Sequence, residues 1–149
     1  MSFRKKLLQQ MEEQLNQKKS VILLEIKSIS DESGNDQKSS AGDKHETSRE
    51  MMRQELDILE QNLIEINKEI EELNSIKLMT AGCSITRGSL VETNKGHFLL
   101  AAVSGKTIVN NIPVIFISAE APFTRALLGL SAGQNYTFRG MEGKIISVS

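Results

Sequence analysis

Cysteine is nearly missing from this chain of 149 residues: Cys83 is the sole one. No disulfide can close within it, and neither a thiol-built zinc site nor a redox pair can be assembled. Tryptophan is absent and aromatic residues make up only 4%, which leaves little material for a ring-floored ligand pocket. No apolar run is long enough to cross a bilayer. The opening stretch MSFRKKLLQQMEEQL starts basic, but Gln9, Gln10, Glu12 and Glu13 interrupt it where a secretory segment needs apolar residues. A cytoplasmic protein without membrane association is the expectation. A large excess of positive charge is also lacking, since the formal net charge is −1, so affinity for nucleic acid through bulk charge alone is excluded.

That near-neutral total hides an asymmetry. Residues 1–76 hold 11 Lys/Arg against 16 Asp/Glu, a balance of −5, whereas residues 77–149 hold 7 against 3, a balance of +4. An acidic half joined to a basic half suits two modules that meet different surfaces of a partner.

The acidic half is helical by periodicity. From Met52 the apolar residues Leu56, Leu59, Leu63, Ile66, Ile70 and Leu73 recur at alternating steps of four and three, the a/d seam of a coiled coil. Between Phe3 and Ile29 a weaker seam holds Met11, Leu15, Ile22, Ile26 and Ile29, with a polar slot near Lys18. Between these segments lies SDESGNDQKSSAG, without periodicity and rich in Ser, Asp, Asn and Gly, which reads as a turn or mobile loop. Each flanking helix would be about 40–45 Å long at 1.5 Å per residue, so residues 1–78 are expected to fold back as an antiparallel hairpin with its tip at 31–46. A parallel coiled-coil dimer is the alternative, and the long break between segments of equal length favours the monomeric hairpin.

Residues 79–149 change character. After TAGCSITRGS come short β-like runs at 89–93, 97–103, 113–118, 135–138 and 144–149, separated by the turn signals NKG, SGK, SAGQ and MEG. Only APFTRALLGL, at 121–130, reads as a short helix, with Pro122 in its first turn and Gly129 near its end. The expected class is therefore α+β: an N-terminal antiparallel α-helical coiled-coil hairpin followed by a small β-rich domain.

At the hairpin tip, AGDKHETSRE places Asp43 and Glu46 three residues apart at the start of the second helix. As helix-starting residues they form a capping-box-like pair. As ligands they would be poor alone, because an open tip has no cleft to exclude water. A partner that supplies the cleft would change that.

The same stretch resembles the tip of the bacterial transcript cleavage factors of the GreA/GreB family, whose pattern runs approximately G-D-[LR]-x-E-N-[AS]-[ED]-[YF]. A second stretch, ISAEAPFTRALLGLSAGQNYTF at 117–138, is similar to the run I-S-x-x-S-P-[IL]-[AG]-x-[AG]-L-[IL]-G-[KH]-x-x-G-[DE] of the family's C-terminal FKBP-like domain. Order and spacing agree along the whole chain. The resemblance implies an accessory factor, not itself an enzyme, whose hairpin enters the secondary channel of RNA polymerase while the C-terminal domain holds the channel rim. It further implies that Asp43 and Glu46 act within the polymerase on backtracked nascent RNA, Asp43 as a ligand of the weakly bound second Mg²⁺ and Glu46 orienting the attacking water. Gly42 matches the tip as well. Thr47 stands where the family has Asn, and Glu50 where it has an aromatic residue. By the resemblance Gly42, Thr47, Pro122, Phe123 and Arg125 are partner contacts. A factor that occupies the channel without promoting cleavage is the alternative within this class, and a coiled-coil scaffold is the alternative outside it. The joint match at 42–46 and 117–138 separates them, because a generic scaffold has no reason to carry both.

Other residues carry less. His45, between the two acids, is either a proton shuttle or a solvated loop side chain. Arg49 and Arg53 lie one turn apart and suit phosphate contact or a solvated helix face with Glu50 and Asp57. Cys83 lacks a His or Asn pattern to activate it, and His97 falls on a strand without other ligands. With only Phe98, Phe116, Phe123, Tyr136 and Phe138 in the second half, prolyl isomerase chemistry is disfavoured there.

Overall fold

The computed structural model describes residues 2–36, 42–80 and 82–149, with the backbone alone described at 33–36 and 42–46. Its class is α+β, with two long helices ahead of a six-stranded sheet. Helix α1 covers Phe3–Asp36 and α2 covers Gly42–Lys77. They run antiparallel: Lys77 forms an ion pair with Glu12, and Glu25, Ser28 and Ile29 share a cavity wall with Glu55, Ile58 and Leu59. The chain divides into two compact units, Glu13–Ile70 and a second composed of Met1–Glu12 with Glu71–Ser149.

In Glu13–Ile70 the heptad seam does what its spacing demands. Met52, Leu56, Leu59, Leu63, Ile66 and Ile70 are half-buried, as are Ile22, Ile26 and Ile29 of α1, and Leu15 is buried. The polar slot in α1 belongs to Lys19, which is half-buried, while Lys18 is exposed. One expectation is corrected. Helix α1 continues through Asp31–Asp36, where composition indicates a loop. Extending an existing helix adds one hydrogen bond per residue fixed, whereas Ser, Asp and Asn each cost only a few tenths of a kcal/mol and Gly34 about 1 kcal/mol. The rest of the expected loop, residues 37–41, lies outside the described residues.

The other unit is built on the sheet β3-β4-β2-β1-β6-β5, with β1 at Leu90–Thr93, β2 at Gly96–Leu100, β3 at Lys106–Val109, β4 at Ile112–Ile117, β5 at Asn135–Phe138 and β6 at Met141–Val148. All pairings are antiparallel except β2 with β4. Strand β3 has no counterpart among the expected runs, and β6 starts at Met141 instead of Lys144. Both differences come from two-residue turns. Asn110 (φ 51°) and Asn111 (φ 63°) join β3 to β4, and Arg139 (φ 51°) and Gly140 (φ 77°) join β5 to β6. Positive φ at both central residues matches the right-handed twist of the flanking strands. The glycine of MEG marks no turn: Gly143 pairs with Tyr136 inside the ladder, and a β-carbon there would overlap the tyrosine ring.

Strand alternation buries both faces of the sheet. On one, Val91, Leu100 and Ile145 join Ile85, Leu127 and Tyr136 in a single cluster beneath the short helix α3, Pro122–Leu127. Helix α3 is shorter than the sequence suggests, ending before Gly129 (φ 82°). Leu90, Leu99 and Val114 are buried on the opposite face. There Gln10 donates hydrogen bonds of 2.7 Å to Thr107 Oγ1 and to the Ile108 carbonyl. Arg4 donates to the carbonyls of Ile76 (3.3 Å) and Gly88 (3.0 Å), which ties the last turn of α2 to the loop that feeds β1. Leu7, Leu8, Met11, Leu73 and Ile76 are buried in the same unit.

Candidate functional site

Helix α2 opens at Gly42, so positions 43 and 46 fall in its first turns, separated by about 4.5 Å along the axis. The capping position falls among residues outside those described. The capping-box-like expectation is corrected, since Asp43 is the second and Glu46 the fifth residue of α2. Negative charge in a first turn is favourable toward the partial positive charge of the helix N-terminus by about 0.3–1 kcal/mol, so Asp43 has a structural benefit whatever else it does. Their side chains and that of His45 lie outside the described residues. Thr47 and Arg49 are exposed. Arg53 lies 3.7 Å from Glu50, an exposed pair one turn apart and worth little to stability.

The C-terminal candidates sit on or beside α3. Pro122 occupies its first turn, where the missing N–H costs nothing, and Arg125 lies in its last; both are exposed. Phe123 is half-buried. Its ring lies 4.9 Å from Phe98, 5.7 Å from Tyr136 and 5.1 Å from Phe138 between centroids, the latter two edge-on. With Lys95 and Met141 these rings line a cavity of about 280 Å³, and the Arg139 guanidinium stands 5.1 Å over Phe138. Composition understates this site, since a low aromatic count says nothing about clustering. The available signal was alternation in β5, which puts Tyr136 and Phe138 on one face.

Remaining candidates have ordinary surroundings. His97 lies on β2, 3.8 Å from a Glu92 carboxylate oxygen, with the Phe3 ring at 5.9 Å. Cys83 is exposed. Among the described residues no group of three or more His, Cys, Asp or Glu could hold a metal ion, and no helix is long and apolar enough to cross a membrane.

No protein-family model matches the chain, and no curated protein does. Among solved structures, Gfh1 of Thermus aquaticus aligns over 87% of this chain and 92% of its own, at 17% identity and a TM-score of 0.31. A second structure, of the transcription factor Gfh1, aligns over 92% of each chain at 18% identity and the same TM-score of 0.31. Similarity this low decides neither family nor activity.

Proposed function

We propose that this chain is a Gre-like accessory factor of RNA polymerase, whose helical hairpin enters the secondary channel and stimulates cleavage of backtracked RNA. The observation that carries the reading is the opening of α2 at Gly42, at the end of an antiparallel helix pair, with the Gly-Asp-x-x-Glu run that resembles the family's tip. Mg²⁺ takes six oxygen ligands and keeps several waters, so one or two carboxylates suit an ion held mainly by another protein. Bound there, the ion would lower the charge cost of attack on a phosphodiester. Asp43 would supply an anionic oxygen and Glu46 would orient the water. The FKBP-like reading of the β domain belongs to the same proposal, with exposed Pro122 and Arg125 and neighbouring Phe123 as rim contacts.

The test is cleavage of RNA in a stalled, backtracked complex. Wild type should stimulate cleavage, and Asp43→Asn, which keeps size and backbone, should lower it roughly 100-fold while still competing for the channel. Equal cleavage by both would return Asp43 to its helix-end role. One observation favours a second reading, channel occupation without cleavage: Glu50, where the family has an aromatic residue, is paired with Arg53 on an exposed face. No cleavage by either protein, with intact competition, would select it.

A further inference from the structure

The seam of the helix pair does not close fully. Between α1 and α2, Glu25, Ser28, Ile29, Glu55, Ile58 and Leu59 line an open cavity of about 380 Å³ with a mainly aliphatic floor. Ile58 is 62% exposed at its edge. Along α2, Met51 precedes Glu55 and Ile58 on the same side at steps of four and three, and it too is exposed. Along α1, Val21 precedes Glu25 and Ser28 in the same way and is exposed. Two helices thus present an apolar groove flanked by carboxylates, and among the described residues no Lys or Arg lines it. Lys27 and Arg53 are each two residues from a rim glutamate, about 200° around their helices, on the far side of the pair.

We propose that this groove docks a basic amphipathic helix presented by a protein partner. The floor rewards aliphatic side chains at helical spacing, the usual way an amphipathic helix seats in a groove. The carboxylate rim selects flanking Lys or Arg and repels acidic competitors. A second hairpin brings the same acids against the rim, and the first half of the chain carries a balance of −5. Nucleic acid and anionic lipid surfaces meet like charge here too. The groove uses residues 25–29 and 55–59, so this docking is separate from any role of Asp43 and Glu46.

The full chain, isotope-labelled at isoleucine methyls, is titrated at low salt with a peptide of roughly 18 residues, long enough to hold a helix, carrying Leu at i, i+3, i+4 and i+7 and Lys elsewhere. A counterpart replaces Lys with Glu. Saturable shifts at Ile29 and Ile58 with the lysine peptide alone are expected. Glu25→Gln/Glu55→Gln should weaken binding roughly threefold to tenfold, the scale of two exposed charge pairs. Asp57→Asn/Glu60→Gln, an equal charge change roughly 140–200° around α2 from Glu55, should leave it unchanged. Ile58→Ser should weaken it about tenfold by removing apolar contact. Equal losses from both double variants, equal binding of both peptides, or no shift at Ile58 would overturn the proposal. So would a dimer in sedimentation that dissociates in Ile58→Ser, since a second copy would then be the occupant.

Discussion

Arg4 shows how one side chain can hold an architecture together. Its guanidinium donates to two main-chain carbonyls, at Ile76 and Gly88, that are 12 residues apart in sequence. Its Nε is buried without a hydrogen-bond partner. Burial pushes the guanidinium below its ordinary value, and an arginine so placed still stays charged. Arg4→Ala should therefore strip two partly buried carbonyls of a charged donor and cost about 2 kcal/mol. Thermal unfolding should show a fall of roughly 4–8 °C for a chain of this size. An unchanged melting temperature would make the two bonds incidental. Nothing in the sequence marks Arg4 among its basic neighbours Lys5 and Lys6, because its partners are backbone atoms more than 70 positions away. The tip acids are a different case: Asp43 and Glu46 form a local pattern, three residues apart near the start of α2, and their role rests on the proposed function.

Among the elements, the helices were the more legible part and the sheet the less. A heptad seam repeats its signal every turn, so one odd residue such as Lys19 does not hide it. The β-strands are four to eight residues long, and a single misread glycine moves a boundary. Gly143 is that residue: it reads as punctuation, yet it lies within β6 because Tyr136 lies across it. Gly143→Ala should push the Tyr136 ring out of its cluster and cost about 3 kcal/mol, at the upper end for overpacking. The chain holds one tyrosine and no tryptophan, so tyrosine emission reports on this ring alone. Its intensity should change in the folded variant, and the denaturation midpoint should drop. Adding Tyr136→Ala should relieve part of the strain, giving a double variant less damaged than the sum of the two. Strict additivity would contradict the packing argument. The aromatic cavity was illegible for a related reason: its rings come from β2, α3 and β5, and only tertiary structure brings those together.

For the whole molecule, the charge balance of −5 over residues 1–76 and +4 over 77–149 follows the division between helical and β-rich sequence. This favours a partner that engages the two parts differently, as a polymerase channel and its rim would. On the proposed function the tip reaches a polymerase active centre. Because Cys83 is the sole cysteine and is exposed, replacing it with serine frees the chain for one thiol at exposed Thr47. The decisive measurement is photocrosslinking from a short probe on Cys83→Ser/Thr47→Cys, bound to a halted RNA polymerase elongation complex. Crosslinks are expected to the segments around the catalytic Mg²⁺ and to the extruded RNA 3′ end, lost on competition by unlabelled protein. Saturable binding with crosslinks only to the outer surface of the polymerase, or no association at all, would contradict it.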